Sequence, residues 1–457
     1  MIDLSLLELD LTAHISLVKS GKISASEIVA QQLAWIEKTN PAINAFISIA
    51  EGSTAFSQNQ QSELAGLGVA IKDNIDVSGY ATTAGMQTRV GRMATSDAFV
   101  AQKLRRAGAS FLGKLNMHEG ALGATNQNEY FGNCINPHKS GYTPGGSSGG
   151  SGAAVAAGMV SIALGTDTMG SVRIPASYCG VFGFKPTKGL VSNHGSVVCS
   201  RIMDNIGPIA RSANDLMLCM SIISGYDRLN PLSDTSHSFA NSQIQSPMVM
   251  MVPDDLSALG VARDIIEDFE RNITVFKDLG YKINTFSFAD YNFAAARRAG
   301  LLICEADMRV EHAYDWANHR SKFSPYMQSM LSFIETKSPM DIMACERVLD
   351  QAEVFGRGLF ENGGYLLLPT TPQRAFSFAE AVPSNQADLT NLANQAGLPA
   401  VSMPMLSDHE LPAGIQIVGP KMSDKSLLQI AQRWQQVTQF KYQLSENIKS
   451  HSTNSRF

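Results

Sequence analysis

Short apolar runs with strand character alternate with helical patterns along this chain, and that alternation limits the folds it can adopt. Strand-like runs occupy residues 43–49, the start of 66–77, 109–112, 365–368 and 414–418. Helical spacing of apolar residues marks residues 24–40, 96–104 and most of 291–360. Strands that alternate with helices in one chain indicate an α/β architecture, which is the fold class we expect here.

The N-terminal part, residues 1–60, is predicted to be largely helical. Ser24 and Glu27 form a capping box, in which the serine hydroxyl accepts a bond from the third amide and the glutamate reaches back. We expect the helix that follows to end at Asn40-Pro41, because proline cannot continue the hydrogen-bond ladder of a helix.

The chain shows no internal repeat and no linker, so we expect a single domain over residues 1–445. Residues 446–457 are polar, which predicts a frayed C-terminal tail. The first residues lack the basic region, long apolar run and cleavage site of a secretory signal, and no apolar run approaches the ~20 residues that a membrane span requires. These features predict a cytoplasmic protein with no membrane partner.

The charge balance gives no electrostatic reason to expect a nucleic-acid partner. The 36 basic and 41 acidic residues leave a net charge of −5 over 457 residues, which is small for this length. The nine His and six Cys are scattered, and the chain contains no CxxC, HExxH or EF-hand pattern. We therefore expect no metal site, and we expect the cysteines to be buried free thiols.

Two segments rich in Gly, Ser and Thr carry the candidate chemistry: T-P-G-G-S-S-G-G-S-G at 143–152 and G-T-D-T-M-G-S-V-R-I-P-A-S at 165–177. A flexible linker is one interpretation of the first, but strand and helix patterns flank it without a drift in composition. A phosphate-binding loop is another, but its consensus ends in G-K-[ST], and no such lysine follows.

Residues 145–149 also match G-x-S-x-G, the nucleophile elbow of α/β-hydrolases. Such an elbow directly follows a buried strand, whereas N-P-H-K-S-G-Y-T-P precedes this one. It also needs a later acid and histidine, and the later histidines lie in no recognisable context. An α/β-hydrolase-like esterase remains an alternative function.

A serine hydroxyl is a weak nucleophile at neutral pH and needs a base within hydrogen-bond distance. Lysine serves as that base when burial lowers its pKa and holds it neutral. Lys72 stands at the end of a predicted apolar strand, where such burial is expected. The glycine-containing turn 167–171 can direct several backbone amides at a developing oxyanion beside Ser171.

These pieces together resemble the amidase signature family. The similarity rests on A-I-K-D-N-I-D-V, P-G-G-S-S-G-G-S-G-A-A-V-A and G-T-D-T-M-G-S-V-R-I-P-A-S-Y-C-G-V-F-G-F-K-P-T, and it reappears in L-L-L-P-T-T-P and P-A-G-I-Q-I-V-G-P. The match is strongest in a signature core, residues 66–220, and loose in a variable substrate region, residues 230–360. The resemblance implies a single α/β domain with a mixed β-sheet core surrounded by α-helices, and no cofactor.

Carried over position by position, the catalytic triad of the family falls on Lys72, Ser147 and Ser171. The resemblance implies that Ser171 attacks the amide carbonyl and that Ser147 relays its proton to Lys72, in this family often through a cis peptide. The implied reaction is hydrolysis of a linear amide to a carboxylate and ammonia or an amine, through an acyl-enzyme.

The same carry-over gives supporting roles to residues around the triad. Ser148 would support Lys72 by hydrogen bonding, and Asp167 and Arg173 would brace the second glycine-containing turn. The oxyanion hole would consist of four consecutive backbone amides, those of Thr168, Met169, Gly170 and Ser171.

Position 169 departs from the family pattern, which usually has glycine there. Met169 would be strained if this position required a positive φ. Otherwise its side chain narrows the pocket beside the nucleophile or takes part in ordinary packing. We expect Met86, Met169 and the variable region to shape the substrate pocket.

Two functions with different partners follow from the resemblance. The first is a free-standing amidase that acts on a small-molecule amide, as a monomer or a homodimer. The second is the amidase subunit of a glutamine-dependent aminoacyl-tRNA amidotransferase, which works only with partner chains. The segment L-L-I-C-E-A-D-M-R-V-E-H-A-Y-D-W after residue 300 does not resemble the acyl-binding stretch of that subunit, which favours the free enzyme. A non-catalytic homologue is disfavoured because all three triad residues are present.

Overall fold

A computed structural model describes residues 2–50, 61–241 and 248–453 of the chain. Eleven strands in these ranges form one mixed sheet, and helices pack around it. The predicted α/β class, with a mixed sheet core surrounded by helices, is therefore confirmed. None of the helices in the described ranges combines the length and the apolar character that crossing a lipid bilayer requires.

The strands are β1 (Phe46–Ile49), β2 (Gly68–Lys72), β3 (Ser110–Leu115), β4 (Ile162–Asp167), β5 (Phe182–Lys185), β6 (Asn205–Ala210), β7 (Val249–Pro253), β8 (Lys282–Phe286), β9 (Tyr365–Pro369), β10 (Ala400–Pro404) and β11 (Gly414–Val418).

The α-helices are α1 (Leu4–Leu7), α2 (Leu11–Lys19), α3 (Ala25–Ile43), α4 (Phe99–Arg106), α5 (Gly149–Ala156), α6 (Arg173–Cys179), α7 (Ala213–Ile223), α8 (Arg263–Asp278), α9 (Phe293–Glu311), α10 (Ala313–Asn318), α11 (Pro325–Phe333), α12 (Pro339–Gly358), α13 (Asp388–Gln395), α14 (Asp424–Thr438) and α15 (Glu446–Thr453).

The sheet brings two distant parts of the sequence to the same edge. Its strand order is β1-β3-β2-β4-β6-β5-β10-β11-β9-β7-β8. The strand β2 pairs in parallel with both β3 and β4, whereas the pairs from β4 through β6, β5, β10 and β11 to β9 are antiparallel. Because β2 and β4 are parallel neighbours, their carboxyl ends, Lys72 and Asp167, emerge at one edge of the sheet. Every residue of both strands is buried.

The N-terminal helix differs from its prediction at one end. The capping box of Ser24 and Glu27 is present at the start of α3. The helix continues past the predicted stop, with Pro41 inside its last turn, and ends at Ile43, where Asn44 caps it in a left-handed conformation with a φ of 54°. The missing amide of Pro41 costs one hydrogen bond near an end that is already short of partners, so the helix tolerates it. The prediction for residues 51–60 lies outside the described residues.

The predicted frayed tail is wrong for its first eight residues, which form α15. Ile448 is fully buried in a cluster that includes Trp35 of α3 and Leu444. The segment is polar overall, but the side chain of Ile448 is apolar, and its burial packs α15 against α3. The helix α4 also begins at Phe99, later than residue 96, with no side-chain cap.

Candidate active site

The side chain of Lys72 extends from the end of β2 into a fully buried site. Its Nζ donates hydrogen bonds to Ser147 Oγ at 2.7 Å and to Thr166 Oγ1 at 2.7 Å. Burial lowers the pKa of Lys72 from 10.5 to about 7. A lysine with that pKa is partly neutral at pH 7, so it can accept a proton.

Ser147 lies in the first glycine-rich turn, directly before α5. The Gly146–Ser147 peptide bond is cis, and the serine side chain is fully buried. A Cβ at position 146 would lie 2.7 Å from the backbone nitrogen of Thr125, so only glycine fits there. The carbonyl of Ser147 accepts a hydrogen bond from the His118 amide at 3.1 Å, which fixes the turn from the other side.

Ser171 lies in the second turn, between β4 and α6. It is the most accessible of the three predicted triad residues, at 8% exposure, and it lines a cavity. Its carbonyl accepts a hydrogen bond from the Ser148 amide at 3.2 Å, which ties the two glycine-containing turns together. The structure thus gathers Lys72, Ser147 and the turn of Ser171 at the edge where β2 and β4 end.

Ser148 supports Lys72 only indirectly, which corrects the predicted direct hydrogen bond. Its Oγ donates to the Thr166 carbonyl at 3.0 Å and accepts from the Thr166 amide at 3.2 Å. Thr166 in turn holds Lys72 through its hydroxyl, and Asn74 donates to the same hydroxyl at 3.2 Å. Neither Thr166 nor Asn74 is among the predicted site residues, although both lie inside the segments that carry the family resemblance.

Asp167 and Arg173 form a fully buried, two-pronged ion pair beneath the second turn. Arg173 Nε lies 3.0 Å from Asp167 Oδ2, and Nη2 lies 3.1 Å from Oδ1. Burial alone would raise the pKa of Asp167, but the charge and hydrogen bonds of Arg173 outweigh it and lower that pKa to about 2. Asp167 therefore stays ionised at neutral pH, and the pair lies at the turn that the resemblance predicts it to brace.

The oxyanion hole has fewer available donors than the resemblance implied. The Gly170 amide donates to Asp167 Oδ1 at 2.7 Å, so that amide points away from a substrate. The amides of Thr168, Met169 and Ser171 remain as the predicted donors. Gly170 has a φ of 131°, and a Cβ there would lie 2.2 Å from the Thr390 hydroxyl, so glycine is required for close packing.

The helix α13 holds the second turn from behind, a contact that no pattern in the sequence indicates. Thr390 Oγ1 donates to the Met169 carbonyl at 2.6 Å. Asn394 Nδ2 donates to the Asp167 carbonyl at 2.8 Å, and Asn394 Oδ1 accepts from Arg173 Nη2 at 2.6 Å. These residues lie more than two hundred positions along the chain from the turn, so no local pattern could reveal them.

A cavity of about 230 Å³ opens beside Ser171. Met169 lines it, half-buried, and is not among the residues with positive φ, so methionine is not strained there. Met86 does not line the cavity, which corrects its predicted role. It is fully buried in a cluster with Met308 and Met327. Within the described ranges, no group of three or more His, Cys, Asp or Glu could hold a metal ion.

Comparison with known sequences places the chain in a family. A sequence model described as Amidase matches residues 27–428. A glutamyl-tRNA(Gln) amidotransferase subunit from Symbiobacterium thermophilum is 32% identical over 92% of this chain and 94% of that protein. The corresponding subunit from Thermus thermophilus is also 32% identical, over 92% of this chain and 95% of that protein.

Solved structures give the same result at the level of the fold. The corresponding glutamyl-tRNA(Gln) amidotransferase subunit from Thermotoga maritima matches with a TM-score of 0.81 and 31% identity, over 94% of this chain and 95% of that one. A 6-aminohexanoate cyclic dimer hydrolase matches with a TM-score of 0.87 and 27% identity, over 97% and 99%. Because the family model spans most of the chain and these relatives align over nearly their full length, this chain belongs to the amidase signature family of hydrolases, which act on C–N bonds with a serine nucleophile.

Proposed function

We propose that this chain hydrolyses carboxylic amides to a carboxylate and ammonia or an amine, with Ser171 as the nucleophile and Lys72 as the base. The observation that carries the proposal is the buried amine of Lys72, which lies 2.7 Å from Ser147 Oγ and has a pKa of about 7. That arrangement matches the requirement of a serine nucleophile for a neutral base reached through a hydrogen bond.

The steps balance without a cofactor. Neutral Lys72 accepts a proton from Ser147 as Ser147 accepts one from Ser171, whose Oγ bonds to the amide carbon. The backbone amides of the second turn stabilise the resulting oxyanion, and one such donor contributes about 3 kcal/mol of barrier reduction. The C–N bond then breaks and the nitrogen leaves with the proton returned through Ser147. Water then bonds to the acyl carbon and gives a proton through Ser147 to Lys72, and the ester bond to Ser171 breaks as that proton returns to the Ser171 oxygen.

The test is ammonia release by the purified chain from a panel of amides. We expect Ser171→Ala to lower kcat/KM by at least about a thousandfold, because the substitution removes the hydroxyl that forms the acyl-enzyme. Ser221→Ala, at an exposed serine of α7, is the matched control and should keep the wild-type rate. If Ser171→Ala kept substantial activity, the assigned nucleophile would be wrong.

A second candidate is the amidase subunit of a glutamine-dependent aminoacyl-tRNA amidotransferase. The names of the relatives from Symbiobacterium and Thermus, each aligned over more than nine-tenths of its length, favour it. The chemistry at Ser171 would be the same, with glutamine as the amide. Hydrolysis of glutamine by this chain only in the presence of partner subunits would support this candidate over the free-standing amidase.

A further inference from the structure

The cavity beside Ser171 has an almost entirely uncharged wall. Its apolar side chains include Leu122, Ile174 and Leu301, and two thiols, Cys199 and Cys304, face it as well. Tyr326, Ser384 and Gln386 supply polar but neutral groups. Among the described lining residues, Arg297 alone carries a charge.

The charge of Arg297 is already matched by a carboxylate. Its Nη1 forms an ion pair with Asp388, the first residue of α13, and both side chains are largely buried, at 20% and 11% exposure. Glu305, on the same helix as Arg297, is not part of the lining. An ammonium group on a bound substrate would therefore find no carboxylate on this wall, and a carboxylate group would have to compete with Asp388.

Removing a charge from water without a partner is strongly unfavourable, whereas burying apolar surface is favourable. We propose that this cavity selects amides whose acyl group is uncharged and apolar, and that Asp388 enforces the selection by cancelling the charge of Arg297. The inference rests on the proposed amide hydrolysis and specifies its substrate class. A zwitterion such as glutamine, which carries an ammonium and a carboxylate near its amide, is a poor match.

The volume of the cavity also limits which acyl groups it can hold. At about 230 Å³ it is smaller than the roughly 300–1,000 Å³ of pockets for drug-sized ligands, so it suits a compact acyl group. Met169 sets part of this limit, because its sulfur packs over the bare backbone of Gly300, where a Cβ would lie 3.3 Å away.

The test compares four amides on the full-length chain: hexanamide, 6-aminohexanamide, adipic acid monoamide and glutamine. We expect kcat/KM for hexanamide to exceed that for each charged amide by at least about tenfold. We also expect Asp388→Asn to raise the ratio of kcat/KM for the monoamide to that for hexanamide by about tenfold, because it frees Arg297 to pair with a carboxylate. A variant that merely disturbs the fold would lower both rates and leave the ratio unchanged.

Asp350→Asn, at an exposed aspartate of α12, is the matched control and should not move this ratio. Labelling of Ser171 by a neutral phosphonofluoridate separates the two proposals. If Ser171 is neither labelled nor needed for turnover, amide hydrolysis by this serine is refuted. If Ser171 is labelled but a charged amide is preferred, or hexanamide is not hydrolysed, only the inference on substrate class is overturned.

Discussion

Lys72 is held in a place that lowers its affinity for a proton, and this affects stability as well as catalysis. Its pKa is about 7 in the folded protein against 10.5 for an ordinary lysine, because the ammonium group is removed from water. At about 1.4 kcal/mol per pKa unit, this lowering of the pKa destabilises the folded protein by about 5 kcal/mol at or below pH 7. Between pH 7 and 10.5 the unfolded chain binds more protons than the folded one, so this destabilisation declines as the pH rises.

Replacement of Lys72 by methionine should abolish turnover and change the pH dependence of stability. The Tm of Lys72→Met minus the Tm of the wild type should be a few degrees higher at pH 6.5 than at pH 9.5. Thermal unfolding at the two pH values measures it. The buried Lys185, whose pKa burial also lowers to about 7, is present in both proteins and cancels in the comparison.

The pH dependence of kcat/KM should follow the titration of Lys72. If neutral Lys72 is the base, kcat/KM falls about tenfold for each pH unit below 7, because protonation removes the acceptor, and levels off above 7. Steady-state rates with an uncharged amide between pH 5.5 and 9 measure this profile. A flat profile between pH 5.5 and 7 would assign the base to another group.

The family resemblance in the sequence singled out Lys72, Ser147 and Ser171, but the sequence did not reveal Thr166, Thr390 or Asn394, nor which hydrogen bonds the site residues make. Lys72 at the end of an apolar strand and Ser171 after a glycine-containing turn fit these roles, but the roles themselves came from the match to the family motifs. The occupied amide of Gly170 and the partner of Ser148 could not be found, because each depends on where a carboxylate or a carbonyl lies in three dimensions. Met86 was misplaced because it packs in a cluster with Met308 and Met327, which lie far along the chain from it.

At the scale of elements, α13 holds the second turn through hydrogen bonds of Thr390 and Asn394, and the bond of Thr390 can be removed with little change in shape. Thr390→Val keeps the shape of the side chain but removes the hydroxyl that donates to the Met169 carbonyl at 2.6 Å. We expect kcat to fall about tenfold with a smaller change in KM, because the turn would hold its amides less accurately around the oxyanion. Thr390→Ser, which retains the hydroxyl, should recover most of the rate. Wild-type kinetics in Thr390→Val would show that the hydrogen bond of Thr390 does not position the turn.

The helix α15 gives a stability prediction that the sequence alone would not have suggested. Ile448→Ala should lower the free energy of unfolding by about 2–5 kcal/mol, because it leaves a cavity in a fully buried position. Glu446→Ala, at an exposed residue of the same helix, should change it by no more than about 0.5 kcal/mol. Urea denaturation compares the two, and equal effects would mean that α15 is not docked.

At the scale of the molecule, the parallel pairing of β2 with β4 explains how the site is assembled. It places the lysine at the end of one strand beside the turn that follows the other, nearly a hundred residues later. The alternation of strands and helices predicted the class of fold, since it is a local pattern. The order of the strands could not be predicted in the same way, because β5 pairs with β10, and β7 with β9, through contacts between distant segments of the chain.

The candidate base, nucleophile and oxyanion donors, and the cavity beside them, all come from one chain, which predicts the behaviour of the isolated protein. The specific activity of the purified chain on hexanamide should be constant over a hundredfold range of protein concentration and unchanged by prior treatment with a chelator. A homodimer, if its mass is found in solution, should therefore not be needed for turnover. Activity that disappears on dilution, or that requires a partner protein, would show that the site is incomplete in one chain and would favour the amidotransferase function.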